Sequence, residues 1–287
     1  MVGTRLAALL ALVTPACATA QLWTPQPLAD DAEASGRVWM ERGVAAQGGE
    51  LLPDHPVASV WLRDEWPNWL YRVLGMPWPE NDVLFRQDFL VGTDDSRLTF
   101  LEGKETGSGW GVQQGVTYRF GEDGTEWDPP DEKPDGRIQF WLPTNGYFLF
   151  MAWRIREATF VRDLGEVELE GRRYRKVFAT WGRPDPPSEV DQYLLFYEIE
   201  SHLLRWVKYT VRDLMGSAEA VMHMEDYQAA GHYLFPRTLR VVDDLGRFET
   251  GVHRYQVEDL QLSPGLAPEG LRPRPQLRRE ARPLPGR

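Results

Sequence analysis

Residues 227–242 read YQAAGHYLFPRTLRVV, and this stretch decides the fold. Tyr227 ends one short run rich in apolar residues, Gly231 stands where a turn is needed, and a second run continues to Val242. Residues 192–199 and 203–211 form a similar pair of runs, joined by Glu-Ser-His at 200–202. Short runs rich in β-branched and aromatic residues, separated by turn residues, predict β-hairpins.

The same pattern extends over most of the chain. Strands are also predicted at 83–91, 97–101, 112–120, 138–142, 167–169, 173–181, 218–227, 233–242 and 247–262. Regular short strands with few helices indicate an antiparallel sheet. We therefore expect a mainly β (α+β) fold in a single domain that covers residues 21–262.

Three segments carry helical signals. Asp30-Asp31 and Gly48-Gly49 enclose apolar positions at helical spacing, which predicts a helix between them. Residues 66–75 place Trp and Leu at helical spacing and could begin with Pro67, although a strand interpretation stays open. Thr144-Asn145 is expected to cap a third helix over 147–156, which is apolar on every side and therefore enclosed by the fold.

Composition excludes some partners. The chain has 287 residues and a formal charge of −11, with 12 Trp among its aromatic residues. Nucleic acid is not expected as a partner, because phosphate binding needs clustered positive charge. Residues 263–287 hold six Pro and six Arg, and we expect them to be a disordered tail. Such a basic tail would either be a solvated terminus or make peripheral contact with anionic lipid headgroups.

The first twenty residues indicate export. Arg5 precedes the apolar run 6–13, and Ala18-Thr19-Ala20 fits the exit of a secretory signal peptide, so residues 1–20 are predicted to be removed. An alternative makes Cys17 the lipidated first residue of a membrane-anchored lipoprotein. Both outcomes place the protein outside the cytoplasm, and the periplasm is the expected compartment.

No pattern of catalysis or metal binding stands out. The five His residues lack metal-site spacing, although His223 and His253 could meet if their strands were neighbours. Gly-Ser-Gly-Trp-Gly at 107–111 is expected to be a turn, because no parallel βα unit surrounds it. Carboxylates cluster at 122–135 and at Asp185, Glu189 and Asp191, as solvated loops commonly do. We expect no metal, no cofactor and no enzymatic activity.

Aromatic residues form two groups, one at 61–78 and one at 147–153. Aromatic side chains line apolar pockets, although they also fill ordinary cores. A curved sheet must cover its concave face, so a ligand pocket is a serious alternative to core packing. The candidate ligand-binding residues are Trp66, Trp69, Tyr71, Tyr147, Phe148 and Trp153. Whether the segment 61–78 is a lid or part of the core stays open.

The hairpin sequences also resemble a known superfamily. Residues 227–242 and 193–209 are similar to the strand–turn–strand signatures of the LolA/LolB-like lipoprotein carriers. An apolar helix followed by Leu164-Gly165, Gly171 and Tyr174 resembles an uncharacterised exported branch. In that branch the first helix ends in His-Gly-Gly, whereas this chain has Gln47-Gly48-Gly49. The likeness spans roughly 33–262, and residues 61–78 and 121–136 fall outside any pattern that we can place.

The resemblance implies a half-barrel, a curved antiparallel sheet wrapped around one or two helices. It also implies a non-enzymatic periplasmic protein that binds an acyl chain, a lipoprotein or another apolar ligand in the cavity. The superfamily supplies no catalytic residues, and a shared fold does not fix function. The alternatives are a cell-envelope interaction module whose core is filled by its own side chains, with a protein partner, and an enzyme that uses the acidic clusters.

Overall fold

A computed structural model describes residues 19–127, 134–184, 190–212, 218–245 and 251–272. Its α-helices are α1 (Ala32–Ala46), α2 (Trp69–Gly75), α3 (Gly136–Leu149) and α4 (Met151–Ile155). Short 3-10 helices cover Gly49–Asp54 and Pro268–Leu271. The strands are β1 (Val57–Glu65), β2 (Val83–Leu90), β3 (Ser96–Phe100), β4 (Gly109–Gln113), β5 (Val116–Phe120), β6 (Glu126–Trp127), β7 (Phe160–Leu169), β8 (Arg172–Thr180), β9 (Gln192–Glu198), β10 (Leu204–Thr210), β11 (Glu219–Ala230), β12 (Tyr233–Val242) and β13 (His253–Leu262).

The strands of the described residues form one open antiparallel sheet. Its order is β6-β5-β4-β3-β2-β1-β13-β12-β11-β10-β9-β8-β7, with β6 and β7 at the edges. Neighbours in the sheet are neighbours in the chain except at one place, where β1 pairs with β13. Two runs of sequential hairpins are therefore joined by β1 and β13 into a single sheet. The predicted mainly β fold class is confirmed.

The hairpin of residues 227–242 forms as predicted. Ala230 pairs with Tyr233, Tyr227 pairs with Pro236, and Gly231 has a φ of 61° in the turn between β11 and β12. A positive φ is costly for side-chain-bearing residues and free for glycine, so this position favours glycine. The second hairpin, β9 and β10, is confirmed as well.

The contacts of α3 show that the sheet is strongly curved. The Tyr147 ring centroid lies 5.8 Å from that of Tyr193 on β9, and the Phe150 centroid lies 6.0 Å from that of Phe89 on β2. In a flat sheet, β2 and β9 would be about 29 Å apart, because six strand spacings of about 4.8 Å separate them. One short helical segment reaches both strands, so the sheet wraps around it. This arrangement is the half-barrel that the resemblance implies.

One predicted strand is a helix. Residues 138–142 belong to α3, which the carboxylate of Asp135 caps by accepting from the backbone N–H of Arg137. The predicted cap at Thr144-Asn145 lies inside this helix. The buried positions Ile138, Leu142, Asn145 and Leu149 follow helical spacing, and that periodicity prevails over the β-propensity of the short segment.

Further boundaries differ from the predictions. Strand β1 precedes the segment 66–75 and is a strand that the sequence analysis does not assign. Helix α2 begins at Trp69 with Asn68 as its cap, so Pro67 lies outside the helix instead of at its first position. The predicted strand 112–120 is the hairpin β4–β5, because Gln114 and Gly115 both have positive φ, as a two-residue turn requires. The predicted turn at 107–111 contains the start of β4.

Residues 263–272 are folded, although the sequence analysis places them in a disordered tail. Leu271 is buried against Val57 and Leu90, and the Nε of Arg272 donates to the Asp95 carboxylate at 2.7 Å. A single apolar residue in a Pro-rich stretch is too weak a signal to reveal this contact. Residues 273–287 lie outside the described residues, as does nearly all of the predicted signal peptide. Within the described residues, no helix is long and apolar enough to cross a membrane.

Helix α1 packs tightly on the sheet. A Cβ added at Gly43 would lie 2.4 Å from the Cε1 of Tyr197, a fully buried residue of β9. We predict that Gly43→Ala lowers the free energy of unfolding by about 1–3 kcal/mol through overpacking, although alanine normally favours a helix by about 1 kcal/mol over glycine. Guanidinium unfolding measures the change. Gly136→Ala, with open space around its position, is the control and should be neutral or stabilising.

Candidate ligand-binding sites

An aromatic cleft opens between the β2–β3 turn, α4 and the end of β8. Its volume is about 160 Å³, and it is lined by Gly92, Tyr147, Trp153, Arg154, Glu157 and Trp181. The rings of Tyr147 and Trp181 lie 6.1 Å apart, and Tyr193 packs behind both of them. Tyr147 belongs to the main core, and Trp153 and Trp181 pack against it, so the core fixes the aromatic walls of the cleft.

Charged groups at the cleft are held in place. The Nη2 of Arg154 donates to the Oδ1 of Asp94 at 2.9 Å, and its guanidinium lies 5.3 Å from the centre of the Tyr147 ring. Both side chains of the ion pair are largely buried. The paired arginine is thereby fixed beside the cleft, and its charge is compensated.

Gly92 shapes the opposite wall of the cleft. Its φ is 83°, and an added Cβ would lie 3.3 Å from the ring of Trp153. Any larger residue would be strained by the backbone and would press on the indole. The guanidinium of Arg156 lies 5.7 Å from the centre of the Trp153 ring. Trp153 therefore lies between the glycine turn at Gly92 on one side and the guanidinium of Arg156 on the other.

A buried carboxylate organises the Trp-rich segment at the other end of α3. Asp64, at the end of β1, has no exposed surface, and its Oδ2 accepts from the indole N–H groups of Trp66 at 2.8 Å and Trp78 at 2.6 Å. Its Oδ1 lies 2.9 Å from the Nδ1 of His253. The His253 ring stacks on Trp66 with centroids 4.4 Å apart. Trp66 and Trp78 are therefore core residues, held by polar bonds.

Helix α2 packs against the ring of Trp66, which Asp64 holds in place. Its Gly75 lies over the Trp66 ring, and Tyr71 packs against the main core, but no residue of α2 is fully buried. Its large apolar side chains are exposed to the following extents: Trp69 67%, Leu70 45%, Val73 74% and Leu74 75%. The predicted segment 61–78 is thus core at its two buried tryptophans and surface at α2.

The structure separates the six predicted binding residues. Tyr147 and Trp153 meet at the aromatic cleft, whereas Phe148 packs against Tyr209 in the core. Trp66, Trp69 and Tyr71 lie together at α2, one in the core, one exposed and one between. No ligand tests these assignments, so they stay predictions. Cys17 lies outside the described residues.

Sequence reasoning missed several residues of these sites. Trp181 and Arg154 meet the cleft through the curvature of the sheet, which no local pattern reveals. Asp64 had a usable signal, because Val60, Leu62 and Asp64 alternate along β1 and thus face the same side. A charged residue in line with buried apolar ones predicts a buried, hydrogen-bonded charge once the strand is assigned.

The structure describes some of the other chemical candidates. His223 and His253 are not on adjacent strands, since β12 lies between β11 and β13. His223 stacks on Trp206 at 3.7 Å, and burial, followed by Arg240, Arg205 and Arg172, lowers the pKa of His223 to about 3. Asp191 accepts from Thr210, whereas Asp185 and Glu189 lie outside the described residues. Within the described ranges, no group of three or more His, Cys, Asp or Glu could hold a metal ion.

Comparison with known proteins finds similarity in structure and none in sequence. No family model matches the chain, and no curated protein is similar to it in sequence. A solved domain assigned to outer membrane lipoprotein sorting in Vibrio parahaemolyticus covers 83% of this chain and 97% of its own, with 11% identity and a TM-score of 0.49.

Two further structures are similar. A LolA superfamily protein from Nitrosomonas europaea has 12% identity and a TM-score of 0.47, with 82% of this chain and 96% of its own covered. A DUF1329 family protein from Desulfovibrio piger has 10% identity and a TM-score of 0.47, with 81% and 95% covered. One of the three, the Nitrosomonas europaea protein, is described as a member of the LolA superfamily, which the hairpin sequences also resemble. Similarity at this level concerns architecture and says nothing of ligand or activity.

The Asp64 carboxylate is expected to stabilise the end of β1 and the base of α2. We predict that Asp64→Leu lowers the free energy of unfolding by about 3 kcal/mol or more, because it leaves three buried N–H donors without an acceptor. Asp64→Asn should cost less, since its amide oxygen still accepts from both indoles. Near-ultraviolet circular dichroism and chemical unfolding measure both effects. Asp259→Asn, an exposed change on β13, is the control, and equal stability of all three variants would contradict the prediction.

Proposed function

We propose that this protein is an exported, non-enzymatic binding protein that holds the apolar end of an acyl chain, from a lipid or a lipoprotein, in the aromatic cleft. The observation that carries the proposal is the cleft itself, whose Tyr147, Trp153 and Trp181 walls are fixed by the core. Aromatic walls suit an apolar ligand, and the charge of Arg154 beside them is compensated by Asp94. The sequence resemblance to lipoprotein carriers is in line with this ligand class.

The size of the cleft limits the ligand. The cavity volume is about 160 Å³. Pockets for whole drug-sized ligands run from about 300 to 1,000 Å³. The cleft therefore suits a short terminal part of a chain, with the remainder outside, and not a fully enclosed acyl group.

A second candidate function follows from the filled interior. Concave-face residues such as Val60, Leu98, Leu195 and Val207 have no exposed surface, because they belong to one core with the helices. A half-barrel filled by its own side chains would act as an interaction module for an envelope protein. This candidate predicts a stable protein partner and no uptake of apolar ligands.

Titration with laurate and with a palmitoylated peptide, followed by calorimetry and Trp fluorescence, tests the first proposal. We predict micromolar or tighter binding that Trp153→Ala weakens about tenfold, because the indole supplies one wall of the cleft. Trp61→Ala is the matched control: its indole is also half-buried, but it lies on β1 away from the cleft and should leave binding unchanged.

Two outcomes would contradict the cleft proposal. Absence of binding up to millimolar ligand would remove the acyl-chain function, and a stable partner in envelope pull-downs would then support the interaction module. Equal binding by the wild type and the Trp153 variant would show that the ligand is held elsewhere.

A further inference from the structure

The apolar face of α2 points away from the protein. At about 100° per residue, Trp69, Leu70, Val73 and Leu74 lie within an arc of about 140°. The opposite side carries Tyr71, which packs on the core, and Gly75, which lies on Trp66. A surface helix normally turns its apolar stripe inward and its polar face outward. In α2 the apolar stripe faces outward instead, and packing within the protein does not account for these exposed side chains.

The base of α2 is rigid. Trp66 beneath it is fixed by stacking on His253 and by its bond to Asp64, and Asn68 caps the helix by accepting from the backbone N–H of Leu70. The exposed side chains are therefore displayed from a fixed support. A preorganised surface loses little conformational entropy when it binds.

We propose that α2 inserts its apolar face into the interfacial layer of a lipid bilayer and so docks the protein on a membrane surface. Tryptophan and leucine are the residues that interfacial helices bury at the boundary between headgroups and acyl chains. The four apolar side chains stand on the outward face of a short helix. Its shape suits penetration into a soft phase.

The size of the patch disfavours a second copy of the chain as the occupant. The four side chains expose on the order of 500 Å² together, which lies in the range of functional patches on monomers. Two such patches would bury about 1,000 Å² in total, whereas stable specific interfaces bury about 1,200–2,000 Å². A lipid interface needs no complementary protein surface.

The charges around α2 permit approach to a membrane despite the acidic chain. Among the carboxylates at this end, Glu65 pairs with Arg254, whereas Glu102, Asp82 and Glu258 share Arg63. Glu80 lies 3.5 Å from the Nζ of Lys104, and α2 itself carries only Arg72. Each of these carboxylates has a cationic side chain within 4 Å, which lowers the cost of bringing this end to a membrane surface.

Co-sedimentation with phosphatidylcholine vesicles, with and without phosphatidylglycerol, tests the proposal. We predict that the purified protein binds both kinds and that Val73→Ser combined with Leu74→Ser lowers the partition coefficient about tenfold or more. Val38→Ser combined with Leu51→Ser is the matched control, because both residues are 48% exposed outside α2, and it should bind as the wild type does. Brominated lipids should quench fluorescence in the wild type and less in Trp69→Phe.

Three results would overturn the proposal. The first is absence of binding by the wild type. The second is binding that needs phosphatidylglycerol and is lost when residues 273–287 are deleted, because the basic tail would then be the contact. The third is a concentration-dependent dimer in sedimentation velocity that the α2 substitutions abolish. The test is independent of the cleft, since Trp153→Ala should still bind vesicles, and failure of either proposal can be recognised separately.

Discussion

A single open sheet has no second sheet to cover its inner face, and this constraint organises the protein. Thirteen described strands curl until their concave side chains meet α1, α3 and α4 in one core. A buried polar chain fixes α3 within it: Tyr255 donates to Asn145, Asn145 donates to Gln87, and Gln87 donates to the carbonyl of Leu142. Because each buried amide has its partners, the helix is oriented as well as covered. The interior is consequently occupied by the protein's own side chains, and the surfaces proposed for binding lie at its margins.

At one margin, the buried carboxylate of Asp64 fixes the orientation of the aromatic rings around it. Apolar contacts between indoles and a sheet are non-directional, whereas a carboxylate with three N–H neighbours fixes the angle of each ring. The bonds hold Trp66, Trp78 and His253 in one layer, where β1 ends and β13 begins. Helix α2 packs on this layer through Gly75, which lies over the Trp66 ring. We expect a shift of the layer to move α2 while the sheet stays folded.

The sequence predicted the hairpins and the fold class well, because turn residues and strand composition are local signals. The interaction of β1 with β13 joins residues almost 200 positions apart, and no local pattern reports it. Residues 138–142 were mistaken for a strand because a five-residue window cannot show the period that continues to Leu149. Of the aromatic candidates, Tyr147 and Trp153 reached the same cleft, but Trp181 could be added only once the curvature was known.

The aromatic residues differ in whether the fold requires them. Trp66, Trp78 and Trp206 are almost fully buried, so their presence is explained by stability. Trp69 and its neighbours on α2 contribute little burial, and their exposure keeps apolar surface in water at a cost to solubility. Residues that folding does not explain are the ones to assign to an interaction. By this criterion we propose two interaction surfaces, the exposed face of α2 for a lipid layer and the open side of the aromatic cleft for a single chain end.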